Sequence, residues 1–255
     1  MKINDLKKYS LFEKEELIKL EKLKNQGVCN TIYKLRTNKK EYLIRVFNLT
    51  HQDENRREYE FFVQKKAYLK DIAAKPYLLD KVNSLMICDF VKGKHKNKLK
   101  KDDLNNLVDT IKKLHKIKTT QKTYSLKNDF KYYKKILKDK KSKKILKESF
   151  KELKKIKKYK FNAVTSHHDI NINNVLFHKN SLKLIDWEFA CVNDKFFDLA
   201  NICFEFKLNE KQEKQVLKRY FKKIRKKDMK KLASYKIIYE NLWILWFKNL
   251  EKPIV

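Results

Sequence analysis

Glycine and proline are almost missing from this 255-residue chain, at two residues each. So few breakers exclude a fold rich in tight turns and favour long helices, and each glycine becomes a marked position. Cysteine is sparse: Cys29, Cys88, Cys191 and Cys203 show neither CxxC nor metal-ligand spacing. A disulfide framework is therefore excluded, and a reduced, cytoplasmic protein is expected. No apolar run is long enough for a membrane span. The opening MKINDLKKYSLF has no apolar core of the kind a secretion signal carries. No internal repeat is visible. Acidic residues are also short: 31 Asp and Glu face 64 Lys and Arg, for a net charge of +33.

That charge has two readings. It is the footprint of a nucleic-acid or anionic-surface binder, or it is a compositional habit. Lysines spread along the whole chain and alternate with Leu and Ile at helical spacing, as over 134–160. The second reading, a solvated helix face, is preferred. No specific nucleic acid is expected, and only a weak, salt-sensitive attraction to anionic surfaces follows. Hydrophobic residues at 42%, with 13% aromatics, exclude a disordered chain.

The chemistry concentrates in residues 164–206. Two apolar runs, Val175–Phe177 and Leu182–Ile185, flank a polar turn and predict a β-hairpin. Asp169, with Asn174 five residues on, precedes it, and Asp186 follows it. One base and two oxygen ligands for a hard cation such as Mg²⁺ are thereby grouped. His167-x-Asp169-x4-Asn174 with Ile185-Asp186 repeats the layout of kinase catalytic and metal-binding segments. The bland alternative is a polar loop whose Asp and Asn are turn formers.

Along the chain, Leu17, Leu20 and Leu23 predict a short amphipathic helix over 12–25. Gly27 precedes two predicted strands, Ile32–Leu35 and Tyr42–Phe47; with Asn30 it suits backbone contact to a phosphate. Arg45 interrupts the second strand and needs a partner, with Glu58 or Glu60 of a predicted helix at 54–69 within reach. The strand Leu85–Ile87 leads through Asp89 and Phe90 to Gly93, read as a bend between two lobes. The fold class is thus α+β, protein-kinase-like and bilobal. A small β-rich lobe spans 1–91 and a larger, mainly helical one 92–255. Predicted helices there are Asp102–Ile117, Phe130–Leu137, Lys143–Ile156, Lys211–Ile224 and Met229–Leu250. His115 is read as structural. The last helix carries Tyr239, Trp243, Trp246 and Phe247 as an aromatic stripe, either core packing or walls of a cage for a quaternary ammonium.

These motifs resemble those of the bacterial choline/ethanolamine kinases, which share the protein-kinase-like fold with the aminoglycoside phosphotransferases. The likeness runs from Gly27 to Phe247. It implies Asp169 as catalytic base, Asn174 and Asp186 as metal ligands, and ATP and Mg²⁺ as cofactors. IDWEFA is similar to the family's IDFEYA, and FDLANICFEF to its FDIANHFCEW, which implies Glu205 as a contact for the substrate ammonium. Trp243-x-x-Trp246 is similar to the WxxW that lines the choline pocket, with Tyr239 beside it. Gly27, Asn30, Arg45, Asp89 and Phe90 take nucleotide-binding places. The Asn55-Arg56 pair, similar to an NRxxE motif, selects Glu58 as Arg45's partner. The chain departs from the family pattern at Phe206, where a Trp is usual, and in having one glycine in its phosphate loop. Choline or a related amino alcohol is the implied acceptor. Ethanolamine, thiamine or an aminoglycoside are alternatives on the same fold, and a basic nucleic-acid-binding protein is the alternative of another class.

Overall fold

The computed structural model describes residues 1–24, 30–48, 54–179 and 181–251. They divide into two compact units. The first comprises 1–94 and 176–188, and the second 95–175 and 189–255. The segment 176–188, which holds most of the hairpin, groups with the first unit.

The first unit is an antiparallel sheet of β1 (Leu17–Lys22), β2 (Asn30–Thr37), β3 (Glu41–Phe47), β4 (Pro76–Asp80) and β5 (Leu85–Asp89). Its order is β1-β2-β3-β5-β4. Helix α1 (Glu54–Tyr68) follows β3. One face of the sheet, through Leu35, Tyr42, Ile44 and Ile87, closes a core with Leu6, Tyr9 and Phe12. Side chains alternate along a strand, so Arg45 emerges on the opposite face.

The helix expected over 12–25 is instead a 3₁₀ turn at Ser10–Phe12 and strand β1. Its register slips between Leu17 and Lys19. Such a bulge resets the two-residue alternation. Leu17 and Leu20, three apart, therefore both pack on the core and imitate a helical period. Lys19 and Lys22 lie on this edge strand, where charge discourages pairing with other chains.

Gly93 serves close approach rather than a bend. A Cβ there would meet the Leu176 Cβ at 2.9 Å and the Phe177 carbonyl oxygen at 3.1 Å. The Lys94 and Phe177 backbones exchange hydrogen bonds of 2.9 and 3.0 Å at the same point.

The second unit is built from α2 (Lys101–Leu114), α3 (Leu126–Ile136), α4 (Lys140–Ile156), α5 (Phe196–Glu205), α6 (Glu210–Phe221) and α7 (Lys226–Leu250). A two-stranded ribbon pairs β6 (Ala163–Ser166) with β9 (Cys191–Asp194); the hairpin strands between them are β7 (Val175–His178) and β8 (Ser181–Leu184). Helix starts are capped as their sequences allow. The Asp139 carboxylate accepts from the Ser142 N–H at 3.0 Å, and Asn209 exchanges bonds with Gln212. The apolar α5 lies against α7, as does α4. No helix among the described residues is long and apolar enough to cross a membrane.

Candidate functional site

The Asp169 loop belongs to the second unit. Its carboxylate is aimed by two amides: Asn171 Nδ2 donates to Oδ1 at 2.9 Å and Asn174 Nδ2 to Oδ2 at 2.7 Å. Asn174 Nδ2 also reaches the Asp169 carbonyl at 3.0 Å. The expected pair is therefore brought together, and the Asn174 Oδ1 remains as an acceptor.

The loop is anchored by a residue that lies outside the sequence motifs. Asp198, in the first turn of α5, is fully buried. It accepts from Ser166 Oγ at 2.7 Å, His167 N at 3.0 Å, His168 N at 2.9 Å and His115 Nε2 at 2.9 Å. Burial alone would raise its pKa; the bonds from His115, Ser166 and the backbone outweigh it and hold the group at about 2. One turn on, Asn201 accepts from Ile170 N at 3.2 Å. The detectable signal was an Asp and an Asn at i, i+3 in a helix apolar from Phe196 to Phe204 but for these two. His115 is structural, as expected: its Nδ1 meets the Tyr220 hydroxyl at 2.7 Å.

His168 takes a left-handed backbone, φ 72°, which costs a residue with a Cβ. Its ring stacks on Phe197 at 3.8 Å, and its Nε2 lies 2.8 Å from Asn193 Nδ2. Packing thus fixes the turn that presents Asp169.

The first unit holds a charged cluster. Arg45 is buried and pairs with Glu60, with Asp186 at 2.9 Å and, more distantly, with Glu188 at 3.7 Å. Glu60 replaces Glu58 as the helix carboxylate. On α1, Arg57, Glu60 and Gln64 repeat at i, i+3, i+7 and are buried, whereas Glu58 faces outward to Lys81 at 2.6 Å. Arg57 grips the same acids. It donates to Glu60 at 2.7 Å, lies 3.5 Å from Glu188 and covers the Phe47 ring at 4.0 Å. Asn30 is occupied within this network: its Nδ2 donates to Glu188 at 3.0 Å and its Oδ1 accepts from Arg57 at 3.2 Å.

Arg56 also donates its Nε to the Glu188 carbonyl at 3.0 Å, so three arginines and three carboxylates meet here. Burial raises the pKa of Asp186 and of Glu188; Arg45 lowers both only in part. Burial also disfavours the Arg45 charge, but Glu60, Asp186 and Glu188 outweigh it, so Arg45 stays a cation. Asp186 has φ 62° and a side chain 29% exposed. Asp89 is engaged by Lys40 at 3.0 Å and Tyr77 at 2.9 Å, and the Phe90 ring lies under Lys34 at 4.5 Å. Gly27 lies outside the described residues.

The third cluster, in the second unit, gathers the predicted substrate residues. The Tyr239 hydroxyl donates to Glu205 at 2.8 Å. Ring centroids run 6.2 Å from Tyr239 to Trp243 and 5.1 Å from Trp243 to Trp246. Phe189, absent from the predicted set, meets both indoles edge-on at 5.5 and 6.2 Å. The two Trp rings and Phe189 are half-buried, so the cluster is no sealed core. Burial raises the pKa of Glu205, and the Tyr239 bond opposes it. Burial, with the Glu205 and Asp169 charges, raises the pKa of Tyr239.

A carboxylate held by amides, a strand arginine paired to a helix glutamate and an Asp after a β-hairpin define a kinase-like protein. The chain belongs to the phosphotransferase enzyme family, whose model matches residues 22–235, and it is a small-molecule phosphotransferase acting on a hydroxyl group. It is 23% identical to protein LicA of Haemophilus influenzae over 247 residues, covering 89% of this chain and 72% of that one. The fold matches choline kinase LicA from Streptococcus pneumoniae with a TM-score of 0.80 at 17% identity, over 99% of this chain and 92% of that one. A LicA structure in complex with AMP matches with a TM-score of 0.77 at 18% identity, over 99% and 91%.

Proposed function

We propose that the protein transfers the γ-phosphoryl group of ATP to the hydroxyl of choline. The carrying observation is the half-open cluster of Phe189, Trp243 and Trp246 with the Glu205–Tyr239 pair, in the same unit as Asp169. A quaternary ammonium donates no N–H bond, so it calls for π-faces and an anion. Those are the groups assembled here.

Asp169 is the base: held by Asn171 and Asn174, it accepts the substrate hydroxyl proton as transfer proceeds. Arg45, held by Glu60, meets the inner phosphates. The nucleotide contacts of Gly27, Asn30, Asp89 and Phe90 are part of the same reading, with Asn30 acting through Glu188 and Arg57. The oxygen donors of Asp186 and Asn174 fit Mg²⁺. Bound there, the ion would neutralise charge on the phosphate oxygens.

Choline, ethanolamine, thiamine and an aminoglycoside, compared by ADP release, test the reading. Choline should give the highest kcat/KM, and a profile led by another acceptor overturns it. Trp243→Ala should raise KM for choline about three- to thirtyfold while KM for ATP stays within about twofold. Equal changes in both would make the indole a packing residue.

A further inference from the structure

The positive charge is not evenly spread. Residues 126–160 carry sixteen lysines against four acids, so over a third of the net charge of +33 lies in 35 of 255 residues. A uniform compositional habit would not concentrate it so. These residues are α3, α4 and their flanks, two packed helices of the second unit.

On α4 and just past its end, Lys140, Lys144, Lys147, Lys151, Lys154 and Lys158 recur at alternating spacings of three and four and are all exposed. They form a stripe about 27 Å long. The local acids are used elsewhere. Asp139 holds Ser142 and Lys248, Glu148 accepts from Asn241, Glu152 pairs with Lys155, and Asp129 accepts from Tyr124. Among the described residues none of the six stripe lysines has an ion-pair partner. Two rings of the same stretch of chain are also exposed: Tyr132 on α3 at 53% and Phe161 beyond α4 at 47%.

We propose that the α3–α4 face docks the protein on an anionic lipid bilayer. Lysines on two adjacent helices match a plane of headgroup charge. Exposed aromatic rings suit the headgroup boundary, where one face is apolar and the other wet. This placement would hold whatever the acceptor of the kinase.

The test is sedimentation with vesicles of phosphatidylcholine, with and without phosphatidylglycerol. The protein should bind only the anionic vesicles at about 0.1 M salt and release at about 1 M. Changing the six stripe lysines to Gln should weaken partitioning by at least about tenfold without loss of kinase activity. Changing Lys7, Lys8, Lys14, Lys65, Lys66 and Lys70 to Gln removes the same charge and should leave most binding. Equal losses in both variants, or no binding by the wild type, would overturn the proposal. Tyr132→Ser with Phe161→Ser keeps every charge and should still weaken binding severalfold; no change, or tighter capture of a short single-stranded RNA than of vesicles, would remove the bilayer as partner.

Discussion

Asp198 is fully buried and Asp186 partly so, yet their pKa values move in opposite directions. Asp198 is saturated by two backbone N–H groups, a hydroxyl and an imidazole, and sits at about 2. Asp186 has Arg45 as its main cation, shares it with Glu60 and Glu188, and is raised. The difference separates a finished support from an unfinished site. The Asp198 hub is complete as folded and holds a loop. The Arg45 cluster keeps two carboxylates whose pKa burial raises, and under the proposed function Asp186 would meet a cation that arrives with the nucleotide.

The largest effect should come from the group the hub supports. Asp169→Asn should lower kcat by about 10²–10⁴ and leave ATP affinity, measured by equilibrium titration, within about twofold. A variant keeping most of its kcat would detach the hub from the chemistry.

Next comes the hub itself. Asp198→Ala strands the His167 and His168 N–H groups in the interior and should cost about 3–5 kcal/mol in urea unfolding. The pH dependence has a definite sign. A carboxylate depressed on folding contributes fully above its unfolded pKa near 4 and loses that contribution as pH falls towards 2. The wild type should lose about 2–3 kcal/mol over that window, and Asp198→Asn should show a flatter profile. An identical acid profile would mean that the carboxylate charge is not what holds the loop.

Sequence legibility followed the same division. The groups proposed to react sit in short-range patterns, so Asp169, Asn174 and Asp186 stood out, as did the hairpin and the stripe on α7. What holds them depends on contacts far apart in the chain. Asp198 reaches back some thirty residues to His167 and His168, and Phe189 meets Trp243 across the second unit. Glu58 and Glu60 differ only by which face of α1 meets the sheet, a choice local sequence left open. Strand β1 was hidden because its bulge gave leucines a three-residue spacing. All five helices predicted for the second unit start earlier than expected, and Lys-rich first turns mask the boundary at Lys140 and Lys226.

A smaller effect should separate Arg57 from a merely structural residue. It holds Glu60 and Glu188, the two acids that share Arg45 with Asp186. Arg57→Ala should lower kcat/KM for ATP about tenfold, in line with the loss of a buried charged hydrogen bond, while KM for the acceptor is unchanged. Arg57→Lys restores the charge without the fork geometry and should recover part of the loss. Parallel changes for both substrates would place Arg57 with the general fold.

The smallest effect bears most directly on the contrast between the two acids. Asp186 and Glu188 have pKa values raised by burial, so they should protonate above the ordinary carboxylate range as pH falls. The acidic limb of kcat/KM for ATP should therefore lie higher than for an exposed carboxylate. A divalent cation favours the ionised form, so raising free Mg²⁺ should move that limb to lower pH. The same ion should raise the Tm of the nucleotide-free protein by linkage, by about RT ln(1 + [Mg²⁺]/Kd) in free energy. Asp186→Asn should abolish both responses. Asp198 offers no such handle, because it is fully buried and its oxygens are already taken by four donors. If Mg²⁺ moved neither the limb nor the Tm, the raised pKa of Asp186 would reflect burial among acids alone, and the contrast with Asp198 would be one of packing rather than of function.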